Sequence, residues 1–88
     1  MLLEHQVDVN LTDNDGWTAL MVVSNKGYAD IVKLLLENDA DFDIKEKHGW
    51  TAFMLSANKD HKEVMKLITE KYDKKQNQNF KLTSIGIT

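Results

Sequence analysis

The chain has no cysteine and no arginine. Without cysteine there is no disulfide framework, no thiolate metal site and no thiol nucleophile, and the composition fits a reducing compartment. Without arginine it lacks the planar fork that commonly reads phosphate or guanine through two hydrogen bonds. Apolar runs are only a few residues long, against the roughly 20 that a membrane-spanning helix requires. Met1-Leu2-Leu3 runs at once into Glu4 and His5, which is not the pattern of a secretory signal. The four glycines (16, 27, 49 and 86) are too widely spaced to form a phosphate-binding loop.

Its 88 residues, 42% of them hydrophobic, bound the protein to one small domain with a small core. The net charge of -3 conceals an asymmetry: residues 71–88 hold four lysines against one acid, and residues 1–70 hold seven lysines against thirteen acids. The larger part is therefore acidic and repels a nucleic-acid backbone.

What the chain does have is a repeat. Gly16-Trp17-Thr18-Ala19 returns 33 residues later as Gly49-Trp50-Thr51-Ala52. At the same lag, Ile31-Val32-Lys33-Leu34-Leu35 meets Val64-Met65-Lys66-Leu67-Ile68, Leu2-Leu3-Glu4 meets Leu35-Leu36-Glu37, and Asp8 meets Asp41. A fixed period of this length signals stacked units, each burying its apolar face against its neighbours.

Each unit reads as turn, helix, turn, helix, exit. Thr12-Asp13-Asn14-Asp15-Gly16 is a dense turn signal. It resembles the start of a calcium loop, but with Gly16 as the loop glycine the first and last ligand positions fall on Leu11 and Val22, which have no carboxylate. Thr18 caps a first helix that Asn25-Lys26-Gly27 ends, with Gly27 suited to a left-handed exit. A second helix covers about 29–37 and is apolar nearly all round, which implies burial on more than one side. Asp41-Phe42-Asp43-Ile44 alternates like a short extended piece. The next unit repeats the plan, with Thr51 as cap, Asp60 where Gly27 stood, and a last helix from His61 to about Tyr72. Beyond Asp73, Lys74-Lys75-Gln76-Asn77-Gln78-Asn79 is polar and without period, and reads as a disordered or frayed tail. Phe80 to Ile87 alternates weakly, as a strand of a longer parent or a short linear motif would, and is read as a loose tail.

This plan resembles the ankyrin repeat. The carriers are Asp13-Asn14-Asp15-Gly16-Trp17-Thr18-Ala19-Leu20-Met21, Gly27, Ile31-Val32-Lys33-Leu34-Leu35-Leu36 and Ala40-Asp41-Phe42-Asp43, with their second copies from Gly49 to Ile68. The resemblance covers residues 1 to about 72. It implies an all-α solenoid of stacked helix-turn-helix units with short hairpin-like turns: 1–12 the end of one repeat, 13–45 a full repeat, 46–73 a truncated one, and 74–88 a tail. The chain departs from the family at several places. Ala19 and Ala52 stand where proline usually follows the capping Thr. Met21 and Met54 replace a His that ties neighbouring turns, Val23-Ser24 replaces two alanines, and Asp39 replaces a glycine. Each change costs on the order of 0.5–1 kcal/mol.

Reactive groupings are not evident. His5, His48 and His61 include no helical i, i+4 pair, and read as solvated or capping residues. Ser24, Ser56 and Ser84 lack the glycines of a nucleophile elbow. No catalytic, metal or cofactor residue is assigned, and the chain is read as no enzyme. The resemblance implies instead a face for another protein across the turn tips and first helices: Asn14, Asp15, Trp17, Asn25 and Lys26 from one unit, and Lys47, His48, Trp50, Asn58 and Lys59 from the next. The expectation is a monomer that binds a protein but neither nucleic acid nor membrane, in the cytoplasm or nucleus. The alternative is a fragment of a larger enzyme, channel or signalling protein in which these repeats are scaffold.

Overall fold

The computed structural model describes the backbone of residues 8–87 and the side chains of residues 8–75. The helical pattern at Leu2-Leu3-Glu4-His5 lies outside the described residues, as do the side chains of the alternating Phe80–Ile87 segment. The described backbone holds four helices and no strand: α1 (Ala19–Lys26), α2 (Ala29–Glu37), α3 (Ala52–Asn58) and α4 (Lys62–Ile87). The helices pair within each unit, α1 with α2 and α3 with α4, and the units stack α1 on α3 and α2 on α4.

The ends of the helices follow from single residues. Thr18 and Thr51 have extended backbones, and each Oγ1 accepts the N–H three residues on, from Met21 at 3.1 Å and from Met54 at 3.2 Å. These bonds satisfy amides that a helix start leaves without a partner. Three exits share one geometry. Gly27, Asp39 and Asp60 have φ of 80°, 66° and 61°, and the N–H that follows each one reaches back to Val23, Leu35 and Ser56. That left-handed step turns the chain and satisfies carbonyls of the last turn. Asp39 and Asp60 pay more for it than glycine does.

One core runs through both units. Leu20, Met21, Val32, Leu36, Ala40, Ala52, Leu55, Val64 and Ile68 form a single buried cluster, with Trp17 and Phe42 packed against it. Ser24 and Ser56 are also fully buried between the helices. Ser56 Oγ donates to the Phe53 carbonyl at 2.8 Å, whereas Ser24 Oγ has no partner among the described residues. An orphaned buried hydroxyl is destabilising. Ser24→Ala, which installs the alanine usual in the family, should therefore raise stability by about 1 kcal/mol in denaturant unfolding.

Two expectations change. Asp41–Ile44 is not extended: Asp41 Oδ1 accepts the Asp43 N–H at 2.8 Å and closes a turn. The same turn occurs one period earlier, where Asp8 Oδ1 accepts the Asn10 N–H at 2.8 Å. An aspartate that can bond its own backbone two residues on prefers this turn to a strand. Also, the backbone stays helical through the stretch read as a frayed tail, to Ile87. Nothing between Lys62 and Ile85 is a proline or glycine, and lysine and glutamine are good helix formers. No described helix is long and apolar enough to cross a membrane.

Candidate functional site

The site that the family resemblance implies lies on two turn tips. In the first tip, Asp13 Oδ1 accepts the N–H of Asp15 and of Trp17, both at 2.9 Å, and the Asp13 and Trp17 backbones bond at 3.0 Å. One carboxylate thus organises the hairpin and sets the Trp17 backbone just before the Thr18 cap. In the second tip Glu46 has the same task. Its Oε1 accepts the N–H of His48 and, at 3.2 Å, of Trp50, and the Glu46 and Trp50 backbones bond at 2.9 Å. Position 46 is one period beyond Asp13, so the repeat lag itself pointed to it.

The tips are joined through the main chain. The Lys47 N–H donates to the Asp15 carbonyl at 2.9 Å. The Lys47 ammonium also lies 3.1 Å from Asp15 Oδ1, but both side chains are more than half exposed, so this pair contributes little. Behind the tips, the Asp41 N–H donates to Asn10 Oδ1 at 2.7 Å across 31 positions. At the other end of the first helices, the His61 ring sits over Gly27, and Nε2 lies 2.9 Å from the Asn25 carbonyl. His61 therefore does more than begin the last helix: it bridges the units. The sequence signal was faint, because only Gly27's lack of a side chain makes room for the ring.

The surroundings of Glu46 shift its titration. Burial pushes its carboxyl up, but the Trp50 amide, the His48 ring, the His48 amide and the His48 charge together outweigh that and hold it below the usual 4.5. A group with a lowered folded pKa adds stability above its unfolded pKa and loses it as the pH falls through the lowered value. The thermal midpoint of the wild type should thus fall, relative to Glu46→Gln, only below about pH 4.5. Parallel profiles through that range would show that the carboxylate does not hold the tip.

The predicted residues lie on these tips and helix ends but are not equivalent. Asn14, Asp15, Lys26, Lys47, His48, Asn58 and Lys59 are exposed. Asn25 is half-buried, with its carbonyl engaged by His61. Trp17 is half-buried against the core, whereas Trp50 is 37% exposed. Among the described residues, no group of three or more His, Asp or Glu is placed to hold a metal ion.

Comparison with known proteins agrees with the repeat fold. A family model described as ankyrin repeats (3 copies) covers residues 1–79. Among solved structures, the chain is similar to one in "Bd0816 Predatory Endopeptidase from Bdellovibrio bacteriovorus in complex with immunity protein Bd3460", with a TM-score of 0.73 and 28% identity. The match takes in 80% of this chain and 36% of that one.

Proposed function

Because this chain belongs to the ankyrin-repeat family, we propose that it is a non-catalytic module whose partner protein lies across the two turn tips and the ends of α1 and α3. Ankyrin repeats are protein-interaction modules, and the solved chain it resembles comes from a complex of an endopeptidase with an immunity protein. One observation carries the reading. The Lys47-to-Asp15 backbone bond joins two copies of one hairpin, and Asn14, Asp15, Lys47, His48 and Trp50 on those tips are exposed.

Among these residues Trp50 is the anchor. Large aromatics that are exposed when free and buried on binding dominate interface energy. Trp17, half-spent on the core, contributes less. The test is affinity capture with the intact chain, followed by titration of the captured protein against Trp50→Ala and Trp17→Ala/Trp50→Ala. The double variant should bind at least about tenfold more weakly, with most of the loss already present in Trp50→Ala. Equal affinity for wild type and double variant would remove the tryptophans from the binding face.

A further inference from the structure

The two turn tips share one hairpin but not one charge. One period on, Lys45 stands for Thr12, Glu46 for Asp13, Lys47 for Asn14 and His48 for Asp15. The acidic tip of the first unit thus becomes a mostly basic one in the second. The longer side chain of Glu46 has a further effect. Asp13 holds its hairpin with Oδ1. Glu46 Oε1 does the same for the second hairpin, and Oε2 reaches the His48 ring, 3.1 Å from Nδ1. The Glu46 side chain is only 5% exposed, and its surroundings hold it ionised at neutral pH. An ionised carboxylate can only accept, so Nδ1 carries a proton. Neutral imidazole has a single N–H, so Nε2 is then bare. The His48 side chain is 68% exposed, which leaves Nε2 to solvent. That exposure does not depend on where the stack ends. Asp15, at the same place one period earlier, has a further unit stacked beside it and is still 57% exposed.

We propose that His48 sets the chemistry of the partner: Glu46 fixes the ring so that Nε2 accepts a hydrogen bond at neutral pH and, on protonation, becomes a charged donor to a carboxylate of the bound protein. This rests on the reading of the two tips as the binding face. The charged groups around the ring favour an anion there. Lys45 and Lys47 flank it on its own tip, and Glu46 offsets its charge only on the inner side, at Nδ1. The acids of the neighbouring tip are Asp13 and Asp15, and Asp15 lies 3.1 Å from the Lys47 ammonium. Histidine is the side chain that ordinarily changes charge between pH 5 and 8. The partner is therefore held more tightly as the pH falls across that range. Glu46 stays ionised throughout, because it titrates below the usual 4.5. Glu46→Gln reverses the ring. Its amide oxygen takes the His48 and Trp50 N–H groups, which turns its NH2 toward Nδ1. Nδ1 must then accept, and the single proton of the neutral ring moves to Nε2.

The first test needs no partner. Nitrogen-15 spectra of the imidazoles of the full chain at about pH 8, where histidine is neutral, should show His48 protonated on Nδ1 and bare on Nε2. Glu46→Gln should show the opposite, and His48→Gln identifies which signals belong to this ring. A proton on Nε2 of the wild type would overturn the proposal, whatever the chain binds. The second test titrates the protein captured with the intact chain. Its affinity for the wild type should rise about fivefold from pH 8 to pH 5.5, the upper range for an exposed ion pair. Its affinity for His48→Gln should rise less, with circular dichroism confirming that the variant folds at both values. An equal rise for the two would overturn the proposal, while weaker binding to Trp50→Ala would leave the face itself standing. A captured protein that ignores both tryptophans and His48 alike would remove the face, and the role of His48 with it.

Discussion

Gly27→Ala should destabilise the chain by about 3 kcal/mol, at least about 1 kcal/mol more than Gly49→Ala. Both glycines are left-handed, with φ of 80° and 87°, so both substitutions incur the cost of roughly 1–2 kcal/mol for a side chain in that region. They differ in what the new methyl meets. At Gly49 nothing lies within 4 Å. At Gly27 the added Cβ would lie 2.6, 2.7 and 2.9 Å from three atoms of the His61 ring. The ring must move, and with it goes the bond to the Asn25 carbonyl. Overpacking of this kind costs about 1–3 kcal/mol on top of the strain. In a domain this small, each kcal/mol shifts the thermal midpoint by about 4–8 °C. A double-mutant cycle with His61→Ala isolates the packing share, because removing the ring should bring Gly27→Ala down to the Gly49→Ala level. Equal losses for the two glycine variants would mean that the ring does not sit over position 27.

Leu20→Ala should cost about 2–5 kcal/mol and unfold both units together. Leu20 is 1% exposed within the cluster that joins the units. Each unit alone buries too little apolar surface to offset the entropy of ordering its backbone, so neighbours in a repeat stack support one another. Two tryptophans, one per unit, provide separate probes. In a Trp17→Phe background, Trp50 fluorescence reports the second unit, although the cavity lies in the first. Its unfolding midpoint should fall as far as that of Trp17 read in a Trp50→Phe background. If Trp50 kept its wild-type midpoint, the units would fold independently and the shared core would carry no coupling.

Much of this architecture was legible from one lag. The 33-residue period located both units, Thr18 and Thr51 marked the helix starts, and Gly27 marked the first exit. The parts that were not legible share a cause. Trp17 and Trp50 sit in identical motifs, yet Trp17 is packed against the core and Trp50 is 37% exposed, a difference that no local window encodes. His61 looked like an ordinary helix opener, since its partner, the Asn25 carbonyl, lies 36 positions away. Asp41-Phe42-Asp43-Ile44 alternates like a strand, but an aspartate bonding its own backbone overrides a two-residue rhythm this short. The positions of the candidate face came from the family resemblance; which of their side chains are exposed and which are engaged by other residues was not legible in the sequence.

The bond from the Lys47 amide to the Asp15 carbonyl involves no side-chain atom. Any residue except proline can therefore occupy position 47 and still make it, and Asn14 beside it is exposed. The surface that meets a partner can be rewritten one letter at a time while the frame beneath it stays put. A library randomised at 14 and 47 alone should consist mostly of folded proteins that differ chiefly in what they recognise.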